Sequence, residues 1–258
     1  MNGVVFRQSF GAGHVGLALY AVGVLVVLAS GTLGYEAIAQ QGKALSNLLR
    51  SLPPALMAGF QLSMESFSSP LGYISARSLS LLWPIVMVAF AAGAGASVAA
   101  LIERGTLHYE LNLPISRVSW LSSRYAAALL GALALVGLTG LALALRLGVN
   151  TWSFIALGGA FTLFWLGVSF LLASLLRDRG PVFSLTFGLF ALEFFLTTLG
   201  RSLEGASWLE HFSVWSLYNP ENTLRHGPDG LALAVLAGGG LLLFALAARV
   251  WRGRDFPA

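Results

Sequence analysis

The chain has 258 residues, of which 57% are hydrophobic and only 10% charged, and its mean hydropathy is +0.78. A soluble domain carries about 25% charged residues, so a water-soluble fold is excluded and the class is an all-α integral membrane protein. The net charge of +4 comes from 15 Lys and Arg scattered at the ends of apolar runs, which is a topology signal and no nucleic-acid-binding face. The chain has no cysteine, which excludes disulfides, thiolate chemistry and Cys-ligated metals.

Residues 2–14 (NGVVFRQSFGAGH) place Phe6 and Phe10 one turn apart with Arg7 between them. This pattern predicts a short helix lying in the membrane interface before the first crossing. The run that follows Arg7 is too long for the apolar region of a signal peptide. Crossing the bilayer takes about 20 apolar residues. Runs at 15–35, 80–102, 125–145, 153–176, 182–200 and 230–250 qualify, and together they make one transmembrane domain over residues 1–258. Trp83, Trp120, Trp152 and Trp251 fall at run ends, where interfacial aromatic belts are expected.

Basic residues set the orientation. With the N-terminus inside, the inner side holds Arg7, Arg104, Arg117, Arg124, Arg177, Arg179, Arg249, Arg252 and Arg254. The outer side holds Lys43, Arg50, Arg77, Arg146, Arg201 and Arg225. The excess favours cytoplasmic termini at both ends. Two outer segments, 36–79 and 201–229, are too long for plain turns. Both are expected to be helical caps on the bundle, the first broken at Pro53-Pro54 and the second turning at Asn219-Pro220.

Several chemistries lack their residues. The one lysine, Lys43, follows Gly42, but Ala37 and Ala44 stand where a phosphate-cradling loop needs glycine and a hydroxyl. The histidines His14, His108, His211 and His226 have no metal-ligand spacing. Gly95-Ala96-Ser97 precedes Val98, and no span supplies a histidine base for a serine nucleophile. That string reads as a helix contact, with Gly93 and Ser97 four apart. Glu193 is the one charge inside a span. An intramembrane acid is a functional candidate by default; it serves either as a relay for protons or cations, or as a protonated side chain that bonds a neighbouring helix or sits near the outer surface.

Between the second and third runs lies Glu103–Arg117, ERGTLHYELNLPISR. Leu107 and Leu111 share one helical face amid polar neighbours, Pro114 ends the short helix by restricting Leu113, and Ser116 caps the next helix. A plain connecting loop is the simpler alternative. The segment resembles the loop between spans two and three in permease subunits of type-2 ATP-binding-cassette (ABC-2 type) transporters. The match is carried by Glu103, Gly105, Thr106, Leu107, Leu111, Leu113, Pro114, Ile115, Ser116 and Arg117, with Tyr109 and Glu110 departing from an otherwise apolar interior. The 174–179 corner and the 251–255 tail are similar to the same family.

That resemblance implies a permease, most naturally an exporter, in a bacterial or archaeal cell membrane. A second permease copy and a separate ATPase chain would be its partners, with ATP and Mg held by the ATPase and no cofactor or catalytic residue in this chain. Leu107 and Leu111 would enter a groove on the ATPase. Glu103, Arg104, Glu110 and Arg117 would form the polar rim, with Gly105, Thr106, Pro114 and Ser116 shaping the element. Arg177, Asp178 and Arg179 would make a second, weaker contact. The alternative is a stand-alone carrier or membrane scaffold, which for an ion-coupled carrier predicts midplane charges or broken helices.

Overall fold

The computed structural model describes residues 2–39, 69–111, 115–203 and 205–254. Among them every regular element is helical, and six helices are long and apolar enough to cross a membrane. The protein is a multi-pass membrane protein.

The first helix, α1 (Gly3–Ala39), runs without interruption. The separate surface helix expected at 2–14 therefore does not occur. Nothing in that stretch breaks a helix: it contains no proline, and Gly11 and Gly13 are not among the positive-φ glycines. Asn2 starts the helix, its Oδ1 accepting from the Val4 N–H at 2.9 Å. The next helix, α2, covers Pro70–Glu103 and begins ten residues earlier than hydropathy alone predicts. Ser69 caps it by accepting from the Gly72 N–H at 3.1 Å, with Pro70 in the first turn. Its residues Ser75–Leu82 wind as a π-helix, a rare form that persists where side chains hold it. Ser78 Oγ donates to Val27 O at 3.0 Å, and the Tyr218 hydroxyl donates to Leu79 O at 3.0 Å. The predicted break at Pro53-Pro54 lies outside the described residues.

After a short helix α3 (Leu107–Leu111) come three spans: α4 (Arg117–Leu147), α5 (Trp152–Leu175) and α6 (Arg179–Ser202). The segment expected on the outer side then forms two 3₁₀ turns, Ser207–Phe212 and Val214–Leu217, and a short helix α7 (Pro220–His226). Asn219-Pro220, expected as a turn, is the cap and first residue of α7. The last span is α8 (Gly230–Gly253).

Helix α5 is the centre of the bundle. Of its apolar stretch 56% is buried inside the protein, against 22–39% for the other spans. Small residues let backbones approach where no hydrophobic force drives helices together in lipid. A Cβ on Gly167 would lie 2.4 Å from Gly240 O, and one on Gly240 would lie 2.6 Å from Leu163 O. That crossing locks α5 to α8. At the α2–α5 crossing the close residue is Gly95, whose Cβ would meet Ser169 O at 2.6 Å. Of the predicted contact pair, Gly93 faces α1, a Cβ there lying 3.3 Å from the Tyr20 hydroxyl, and Gly93 and Ser97 both line a cavity of about 280 Å³ between α1, α2, α4 and α5.

The aromatic belt also needs correction. Trp83, Trp120 and Trp251 are fully buried, and only Trp152, at 75% exposure, occupies an interfacial position. The buried rings are core. Trp83 donates to Thr139 Oγ1 at 2.9 Å and stacks on Tyr218, with centroids 6.1 Å apart. The outer segment therefore caps the bundle and also plugs it, inserting Trp215 and Tyr218 among the spans.

Candidate functional site

One end of the bundle gathers almost every residue singled out between Glu103 and Arg117. Helix α2 stops there through local backbone chemistry. Gly105 takes φ +66°, its N–H bonds Ile102 O at 3.0 Å, and the Thr106 N–H bonds Leu101 O at 3.0 Å. This pair of bonds is a Schellman stop, which needs a left-handed residue and so favours glycine. Helix α3 starts at once, with the Tyr109 N–H reaching Thr106 O at 3.2 Å. The chain re-enters at Ser116, whose Oγ accepts from the Ser119 N–H at 3.1 Å and caps α4 as predicted. Pro114 and the side chains of His108 and Leu111 lie outside the described residues.

Two of the described side chains of α3, Leu107 and Glu110, do not face the way the expected docking surface requires. Leu107 is 2% exposed and belongs to the bundle's own core. Its apolar face is real, but the spans beneath offer it apolar surface, and burial there removes it from water without a partner. Glu110, expected on an outer rim, turns inward. Arg124 Nη2 reaches both of its oxygens at 2.9 Å, and Trp120 Nε1 donates to Oε2 at 2.7 Å. Tyr109, by contrast, is 79% exposed.

From Glu110 a continuous layer of contacts crosses this end. The Arg124 guanidinium lies 4.7 Å from the centroid of the Trp120 ring, which stacks on Trp251 at 5.5 Å. Arg254 follows, donating to Ala173 O, Ser174 O and Leu176 O at 2.7–3.1 Å and so satisfying the open carbonyls at the end of α5. Burial first, and then the charge of Arg177, lower the Arg254 pKa from its ordinary value. Arg117 Nη1 donates to Arg254 O at 2.6 Å. Glu103 closes the layer on the other side, accepting from the Arg179 N–H at 3.0 Å. The corner Arg177, Asp178 and Arg179 is thus next to Glu103, and all three of its residues are exposed, as is Arg104. The N-terminus joins the same end, Asn2 N–H donating to Ser123 Oγ at 2.7 Å.

Sequence reasoning missed Arg124, Trp120 and Arg254 as members of this group. A faint signal existed: Arg124 is a charge set a full two turns inside a helix that starts at Ser116, and such a residue needs a partner.

Glu193 lies far away, at the opposite end. Its Oε2 accepts from the Val214 N–H at 2.6 Å, while Ser213 Oγ donates to Glu193 O at 2.9 Å and accepts from Thr197 at 2.7 Å. The carboxylate caps the second 3₁₀ turn, and a cavity of about 750 Å³ opens beside it. Among the described residues no three His, Asp or Glu side chains come together as a metal site would need. No protein-family model matches the chain, and no curated protein matches it.

Proposed function

We propose that this chain is the membrane-embedded permease subunit of an ATP-driven transporter of the ABC-2 type. The observation that carries the reading is the Glu103–Arg117 segment. Its residues resemble that family's coupling loop, and they form a helix stop, a short projecting helix and a capped restart between the second and third spans. The end of the bundle that bears this segment also bears both described chain ends, consistent with six crossings and cytoplasmic termini.

In this reading a separate ATPase chain, holding ATP and Mg, docks on the segment. Its closure moves the spans of two permease copies in a bacterial or archaeal cell membrane, and the cargo leaves the cell. An ion-coupled carrier would call for further midplane charges or broken helices, and Glu193 is the one acid inside a span, with one of its oxygens engaged by the Val214 N–H. The test is purification of the tagged chain in mild detergent. The expected result is a stoichiometric nucleotide-binding-cassette ATPase, identified by mass spectrometry, with vanadate-sensitive ATP hydrolysis. A chain that purifies alone from native membranes, with no ATPase at any detergent strength, would contradict it.

A further inference from the structure

We infer that the coupling segment meets its partner through the ring of Tyr109, held outward by Glu110, and that the partner's surface is acidic around a pocket for that ring. The inference rests on the proposed permease reading and names the chemistry of its docking face. Three observations carry it.

The roll of α3 is set by Glu110. Its two bonds to Arg124 and one from Trp120 tie one face of a five-residue helix to α4, and the burial of Leu107 ties another to the core. With those two faces committed, Tyr109 projects away at 79% exposure. A large aromatic is a frequent anchor in protein interfaces because it buries much area with few rotamers to freeze. Glu110 is a positioning residue, and Tyr109 makes the contact.

The surrounding charge supplies the partner's sign. Among the described residues Arg104, Arg177, Arg249 and Arg252 are exposed at this end, where Glu103 and Asp178 are the exposed acids. Glu110, the remaining acid of the segment, is neutralised inward by Arg124. The face presented is therefore net positive, and a complementary protein surface is negative. Tyrosine and arginine also sit well at anionic lipid headgroups. That outcome is the competing one, and the experiment separates it.

The chain has no cysteine of its own, so single cysteines report without background. Tyr109→Cys and Leu107→Cys are compared in the permease–ATPase complex and in the permease stripped of its ATPase, using a membrane-impermeant maleimide. Tyr109→Cys is expected to label in the stripped permease and to be protected by an order of magnitude in the complex, with protection weakening as salt is raised. Leu107→Cys is expected to stay unlabelled in both. A benzophenone maleimide on Tyr109→Cys is expected to cross-link to an ATPase peptide flanked by Asp or Glu. Tyr109→Phe should keep wild-type affinity for the ATPase and Tyr109→Ala should weaken it about tenfold, so the Tyr109→Cys complex is assayed with the ATPase in saturating excess. Glu110→Gln should lower the protection at position 109 while leaving the chain monodisperse. Equal labelling of Tyr109→Cys with and without ATPase, or a cross-link to lipid alone, overturns the inference while the permease reading stands. Absence of any ATPase in the purified complex overturns that reading itself.

Discussion

Glu110 and Arg124, 14 positions apart in the chain, meet at 2.9 Å with side chains only 18% and 14% exposed. Trp120 lies between them in sequence and serves both, donating to the carboxylate and offering its ring face to the guanidinium. This relationship fixes how the short helix sits on the third span. It also carries the first prediction: Glu110→Gln keeps an acceptor for Trp120 but removes the countercharge of a largely buried arginine. A charge-assisted bond of this kind contributes about 1.5–3 kcal/mol, so thermal unfolding in detergent should shift measurably downward. Arg124→Lys should recover little, because an ammonium cannot span two oxygens and cover an indole face together. A wild-type melting curve for both variants would contradict the assignment.

The contact of α5 with α8 depends on two glycines facing each other. Gly167→Ala puts a methyl 2.4 Å from a backbone oxygen, a clash no side-chain rotation relieves. The expected result is loss of the monodisperse peak in size-exclusion chromatography. Gly238→Ala, two residues from Gly240 on a different face of α8 and with nothing within 4 Å of its Cβ, is the control that should fold normally. Equal behaviour of the two would show that the crossing is wider than described.

Tyr218 is fully buried and bonds Leu79 O, so Tyr218→Phe should cost about 1–2 kcal/mol at neutral pH. Burial also raises its phenol well above the ordinary pKa of 10.0. The unfolded chain releases that proton near pH 10 while the folded chain retains it, so the native state loses stability as pH rises past about 10. The alkaline slope of the unfolding midpoint should be shallower in Tyr218→Phe. An unchanged slope would mean that the phenol is reached by water.

For Glu193 the relevant measurement is hydrogen exchange. Glu193→Ala removes the acceptor of the Val214 N–H, and exchange in the 207–217 segment should accelerate by about tenfold or more, the equivalent of about 1.4 kcal/mol of lost protection. Glu193→Gln retains an oxygen and should leave exchange close to wild type. Matching protection in the Ala variant would return Glu193 to the pool of candidates for a transport role.

The sequence by itself determined which six runs form the membrane-length helices, because hydropathy is a local sum and about 20 apolar residues in a row have no alternative in water; where α1 and α2 begin was set by local caps outside those runs. The cap at Ser116 was equally legible, since it is chemistry of a few adjacent backbone groups. Tertiary structure decided the direction of each face. Periodicity shows that Leu107 lies on an apolar face, but a face of that kind buries against a partner or against its own bundle with the same driving force, and only the packing selected the bundle. Trp83, Trp120 and Trp251 stand at span ends in sequence and turn out to be core, because depth along a helix says nothing about rotation around it. Glu193 reads as a charge in hydrocarbon until the outer segment folds back and brings the Val214 N–H to its carboxylate. Pairings such as Glu110–Arg124 depend on the path between two elements, which no local pattern encodes.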